Sequence, residues 1–334
     1  MAFDYPLIWA CLIAFAVMAY VILDGFDLGI GALFLLHPKK EDRDAMMDSV
    51  APVWDGNETW LVLGGGGLLA VFPLAYAIIL PALYLPLIVM LLGLILRGVA
   101  FEFRSRSAGY RFLWDWSFAW GSIIAALAQG VALGALVHGI HVTGRGYGGG
   151  TWDWLSPFSV LTGVALVVGY ALLGACWLIV KTTGSLRALA QRQAKILAFA
   201  TLVLIGVVSL WTPFINADYF AKWLAFPAVL YSGVVPVVLL GCAVLLLRGL
   251  TRDSDWLPFI ASLGIFITCF GGLGISFYPY IVPTAVTLWQ AAAPDSSLRF
   301  LLVGTAVLLP MVLIYTGHAY WVFHGKVGNG AGYH

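Results

Sequence analysis

The feature that most constrains this chain is a series of apolar stretches, separated by loops too short to build a domain of their own. A membrane helix needs about 20 apolar residues; stretches at roughly 7–36, 52–73, 76–101, 115–139, 157–181, 193–213, 226–248, 256–278 and 299–323 meet that length. The reading is an all-α polytopic membrane protein with nine transmembrane helices in a single integral membrane domain, residues 1–334. With 62% hydrophobic and 10% charged residues, a water-soluble globule of this size is not expected. A net charge of +1 carries no message about nucleic acid; in a membrane chain the placement of basic residues matters instead.

That placement is lopsided. Loops and helix ends after the first, third, fifth, seventh and ninth stretches hold Lys39, Lys40, Arg43, Arg97, Arg104, Arg106, Arg111, Lys181, Arg187, Arg192, Lys195, Arg248, Arg252 and Lys326, which is 14 of the 17 Lys and Arg. Only Arg145, Lys222 and Arg299 fall on the other side. The positive-inside rule then puts the N-terminus outside and the C-terminus in the cytoplasm, and the alternation itself supports nine crossings. No Lys or Arg precedes Lys39, and the first stretch outlasts a signal peptide without a small-residue cleavage site, so it is expected to stay as a span. On the outer side Gly144–Gly150 reads as a flexible loop, with Trp152 and Trp154 as interfacial anchors.

Two acidic clusters stand against this apolar background: Asp24-Gly25-Phe26-Asp27 inside the first stretch, and Asp55-Gly56-Asn57-Glu58 at the mouth of the second. An ionised carboxylate at the centre of a membrane helix costs about 2.5–3.5 kcal/mol even on the lenient insertion scale, so these groups should face protein or water. Asp24 and Asp27 are three residues apart and share a helix face. With the first two stretches antiparallel, Asp24, Asp27, Asp55 and Glu58 are expected to line a ladder from the cytoplasm into the membrane, as a proton path. The plainer reading of Asp55 and Glu58 is as first-turn acids complementing a helix dipole; it does not extend to Asp24 and Asp27, because the dipole fades within a turn. Arg97 and Glu102 are candidate charge partners. Arg104 and Arg106 read as headgroup residues, and Trp114-Asp115-Trp116 as an interfacial belt with a helix-start acid. Gly64–Gly67 in the second stretch serves either close helix packing or backbone deformation.

Other chemistry finds little support. Cys11, Cys176, Cys242 and Cys269 lie in apolar runs without metal-ligand spacing and read as packing residues. His37, His138, His141, His318, His324 and His334 fall at or near stretch ends, so no pair offers haem ligation at matched depth; His318 is read as the closest to buried. Metal sites in this chain are not expected, and redox centres are expected on a partner.

These motifs resemble the second subunit of the cytochrome bd-type quinol oxidases, including the cyanide-insensitive branch. The resemblance rests on Asp24-Gly25-Phe26-Asp27-Leu28-Gly29, on Ser49 to Trp60 (SVAPVWDGNETW), on Arg97 to Arg104 (RGVAFEFR), on Trp114-Asp115-Trp116, on Ser156-Pro157-Phe158 and on Phe277 to Pro283 (FYPYIVP). It implies two four-helix bundles, helices 1–4 and 5–8, plus a peripheral ninth helix. It also implies pairing with a haem-bearing subunit I in a bacterial cytoplasmic membrane, and leaves the presence of a small single-span subunit open. The complex oxidises quinol and reduces oxygen to water, electrogenically and without pumping. The haems belong to subunit I, and a structural quinone within this chain is left open by its short outer loops. Asp27 and Asp55 match acids of the family's proton delivery, Trp60 matches an aromatic on an oxygen route, and Asp24 is the weaker transfer. Two rival readings stand beside this one. One is a proton-coupled secondary transporter using the same carboxylates; the other is a purely structural subunit whose acids pair with arginines.

Overall fold

The computed structural model describes residues 3–327, so His334 lies outside the described residues. Thirteen helices follow one another: α1 (Tyr5–Phe34), α2 (Lys40–Asp48), α3 (Trp54–Val71), α4 (Pro73–Arg104), α5 (Arg111–His138), α6 (Pro157–Lys181), α7 (Gly184–Trp211), α8 (Ala217–Trp223), α9 (Ala228–Ser232), α10 (Val234–Thr251), α11 (Leu257–Phe277), α12 (Leu288–Ala291) and α13 (Asp295–Val322). Among the described residues eight helical segments are long and apolar enough to cross a membrane, α9 and α10 counting as one. The expected second stretch is the exception. It forms α3, 18 residues long, but Asp55, Asn57, Glu58 and the four consecutive glycines deprive it of apolar length. The expected start near residue 193 also moves: α7 begins at Gly184, because its first turns carry Arg187, Gln191 and Arg192 and extend beyond the apolar part.

Helix starts are written into the sequence. Asp4 caps α1, accepting from the Leu7 amide at 3.1 Å. Ser156 and Ser159 form a reciprocal capping box ahead of Pro157 at the head of α6. Packing closes two circuits. α1 lies on α3 and α5, and α4 lies on α3 and α5; α6 lies on α7 and α11, and α10 lies on α7 and α11. The circuits join where α6 meets α1 and α5, while α13 runs along α1 and α3 and is the least buried of the long segments.

Small residues set the closest crossings, as expected where lipid offers no hydrophobic drive for association. A Cβ on Gly29 of α1 would stand 1.7 Å from the Tyr170 carbonyl oxygen, and one on Gly174 of α6 2.5 Å from the Gly29 carbonyl carbon. In the glycine run of α3, Gly64 and Gly67 face Val17 and Ile13 of α1, whereas Gly65 and Gly66 meet nothing within 4 Å. Close packing therefore accounts for half of the run.

Three sequence expectations change. The Gly144–Gly150 segment is ordered by the two-stranded hairpin β1 (Val142–Thr143) and β2 (Gly146–Tyr147), turning at Gly144 with φ 61°. Tyr147 donates to the Gly150 carbonyl at 2.6 Å and to Asp153 at 3.0 Å; burial, then Asp153, pushes its hydroxyl up to about 12. A second hairpin, β3 (Tyr280–Val282) with β4 (Val286–Thr287), leads into α12. Second, Arg104 and Asp115 are not an interfacial cation and a helix-start acid but a buried pair, Nε to Oδ1 at 2.5 Å. Arg104 also reaches Asp44 at 2.7 Å and Arg43 reaches Asp115 at 2.8 Å, so this ionic knot ties α2, α4 and α5 together over the Phe34 ring. Third, the buried histidine is His37, which lies within 3.3 Å of the Gln193 side chain, while His318 is exposed beside Trp321.

Candidate functional site

The C-terminal third of α1 is enclosed: eight consecutive residues, Asp24 to Gly31, are buried, because α3, α5 and α6 all pack on this helix. Asp24 and Asp27 thus sit inside protein and not against lipid, both fully inaccessible. Arg97 reaches in from α4. Its Nη1 donates to Asp24 Oδ1 at 2.6 Å, and its Nη2 donates to the Glu58 carboxylate of α3. Arg97 is itself fully buried, while the Glu58 side chain keeps 27% of its surface accessible. One guanidinium therefore bridges a sealed acid and an acid at the edge.

Among the described residues no cation is bonded to Asp27. Asn57 Nδ2 donates to Asp27 Oδ2 at 2.8 Å and to the Leu23 carbonyl at 3.2 Å; the amide's other end accepts from the Tyr320 hydroxyl of α13 at 2.9 Å. These bonds fix the amide orientation, since only the nitrogen donates to a carboxylate. One oxygen of each buried acid, Asp24 Oδ2 and Asp27 Oδ1, is left without a hydrogen-bond partner among the described residues.

The remaining expected site residues lie apart. Asp55 is exposed in the first turn of α3, an electrostatic neighbour of Glu58 and outside the buried cluster. Glu102 does not serve Arg97; it is exposed and pairs with Arg106 one turn on, at 3.7 Å. Trp60 is buried in a cluster with Ala16 and Tyr20 of α1, edge-on to Phe15 with ring centroids 5.7 Å apart, and its indole N–H lacks a partner among the described residues. No group of three or more His, Cys, Asp or Glu able to hold a metal occurs among the described residues.

The family model of cytochrome bd terminal oxidase subunit II matches residues 5–323. This chain belongs to that family. Its relatives include cytochrome bd-I ubiquinol oxidase subunit 2 of Escherichia coli K12, 29% identical, with 96% of this chain and 94% of that protein covered. Cytochrome bd ubiquinol oxidase subunit 2 of Bacillus subtilis is 28% identical, with 96% of both covered. A chain in the structure of bd oxidase from Geobacillus thermodenitrificans shares the fold, with a TM-score of 0.75 at 16% identity over 96% of this chain and 99% of that one.

In this subunit II chain, sequence reasoning named the carboxylates and Arg97 but missed the residues that hold them. Asn57 stands inside the DGNE motif, but an uncharged amide does not stand out there as the carboxylates do. Tyr320 lies 263 residues from its partner, and a tyrosine near the end of an apolar stretch reads as an interfacial residue. Gln129 was legible in principle: it is the one amide in an apolar run from Ser122 to Val137.

Proposed function

We propose that this chain is the accessory subunit of a quinol:oxygen oxidoreductase and that its buried acids lead cytoplasmic protons towards the haems of subunit I. The observation that carries the reading is the charge count of the enclosure. One guanidinium serves an enclosure that holds Asp24, Asp27 and, at its accessible edge, Glu58, so an ionised triad would leave two negative charges uncompensated. Such a cluster is neutral only while holding protons, and groups that exchange protons are what a path requires. Glu58 is the accessible end and Asp27 the sealed end, with exposed Asp55 one turn nearer the helix start as the collecting group. Trp60, packed against Phe15, is assigned to an oxygen route.

The same reading takes α3 as a ninth span despite its polar start, the two packing circuits as the two four-helix bundles, and α13 as the peripheral helix. It places the N-terminus outside, the C-terminus in the cytoplasm and the whole in a bacterial inner membrane, as the arginine-rich end of the molecule favours. The partners are subunit I, lipid, and quinol as substrate of the complex. When the complex is assembled, the haems supply the electron transfer to oxygen. A structural quinone would find in this chain a cavity of about 270 Å³ between α1, α6, α11 and α13, walled by Phe26, Trp177, Phe259 and Tyr320. That volume suits a headgroup and little more. Family membership gives the transporter reading no support.

The test is Asp27→Asn and Asp55→Asn in the intact oxidase. Quinol-dependent oxygen consumption is expected to fall at least about tenfold in Asp27→Asn and less in Asp55→Asn, with haem content unchanged. Full turnover in both variants would move the path elsewhere.

A further inference from the structure

The buried acids have a third set of neighbours that the proposed path does not use. Tyr170 of α6 donates its hydroxyl hydrogen to Gln129 Oε1 of α5 at 3.0 Å, and Gln129 Nε2 donates to the hydroxyl oxygen of Tyr20 on α1 at 2.7 Å. Tyr20 and Tyr170 are buried, and the three residues span the junction of the two packing circuits. Each link has a fixed sense. Gln129 presents its amide oxygen to Tyr170, which can bond it only as a donor, and its nitrogen to Tyr20, which can bond it only as an acceptor. The Tyr20 oxygen is then an acceptor, and its single hydrogen is left to find another partner.

That hydrogen has one evident destination. Asp24 follows Tyr20 by four residues, one helical turn on the same face, and the two groups are in electrostatic contact. Asp24 Oδ1 is taken by Arg97, and Oδ2 is the oxygen with no bond of its own. We infer that Tyr20, Gln129 and Tyr170 form a one-way donor relay that ends on Asp24 and positions its carboxyl group. A carboxamide passes a proton onward only through its imidic acid tautomer, so Gln129 makes this arm orient and not conduct. The relay thus holds Asp24 facing Arg97 while closing the direction that leads away from the acids into α6. These are positioning residues, and the inference rests on the proton-path reading above.

The experiment uses the intact oxidase with Tyr20→Phe, Gln129→Glu, Gln129→Leu or Tyr170→Phe, alongside Asp24→Asn and Asp27→Asn. Quinol-dependent oxygen consumption is measured in H₂O and D₂O, with haem content as the check on assembly. Tyr20→Phe is expected to slow turnover about tenfold, the effect of one lost hydrogen bond to a charged group, and to raise the H₂O/D₂O rate ratio. Gln129→Glu keeps the volume but draws the Tyr20 hydrogen to itself, so it is expected to match Tyr20→Phe; a packing role would leave it near wild type. Gln129→Leu should slow turnover less, and Tyr170→Phe, the most distant link, least. Wild-type rates and isotope ratios in Tyr20→Phe and Gln129→Glu, with Asp24→Asn slow, overturn the relay and leave the proton path standing. Wild-type behaviour in Asp24→Asn and Asp27→Asn as well overturns both.

Discussion

Arg97 is the residue on which the polar interior depends, because its two terminal nitrogens serve carboxylates from two other helices. Removing it leaves Asp24 buried without its cation, a change that costs about 3–5 kcal/mol for comparable buried pairs. Arg97→Leu is therefore expected to lower the thermal midpoint of the detergent-solubilised complex sharply, more than Asp24→Asn, which removes a charge and keeps a hydrogen-bonding group. Arg97→Lys should not restore wild-type stability, since an ammonium cannot reproduce the planar two-pronged geometry; a full rescue by lysine would show that only net charge matters here. Asn57 belongs to the same scale. Its amide couples Asp27 to Tyr320, so a neutral residue fixes the geometry of a charged one.

At the scale of elements, the fold rests on how closely helices cross. Gly29→Ala is expected to prevent α1 and α6 from meeting, because the added carbon would overlap the Tyr170 backbone; the loss shows as failed assembly and absent haem. Gly65→Ala meets nothing inside this chain, so it should leave the chain's own packing intact. The elements were legible to the extent that hydropathy marks them. α1, α4, α5, α6, α11 and α13 lie where apolar length placed them, since a helix crossing lipid must be long and apolar. Where hydropathy fails, so did the reading. α3 pairs Asp55 and Glu58 with four glycines, α2 is a polar helix outside the apolar pattern, and the hairpins depend on turn geometry. Likewise the acids and Arg97 could be found because charge in an apolar stretch is conspicuous. That Arg97 serves a buried acid was within reach for the same reason; which acid was not, since Asp115 and Asp24 look alike in the sequence, yet different arginines hold them.

For the molecule as a whole, the two packing circuits must stay in register, and His37 is one place where that register senses pH. It follows α1, yet its ring docks on Gln193 of α7 in the other circuit. Burial pushes its imidazole below the ordinary value, an effect the Gln193 bond only partly offsets. The folded ring therefore stays neutral while the undocked ring gains a proton near about pH 6.5, so the contact is at full strength above that pH and weakens as pH falls through it. Amide protection of the segment after α1, taken relative to the intrinsic exchange rate at each pH, should fall between about pH 7.5 and 5.5, and His37→Asn should flatten that dependence. A flat wild-type profile would show that the docking does not depend on the ring's charge. The bond from Tyr320 on α13 to Asn57 joins the last helix to the third. Translation delivers α13 after α1 and α3, so until α13 docks the Asn57 amide holds Asp27 without the Tyr320 hydroxyl behind it. The docking of α13 is thus the event that fixes the amide on its second side, and with it the setting of an acid that α1 and α3 alone would hold less firmly.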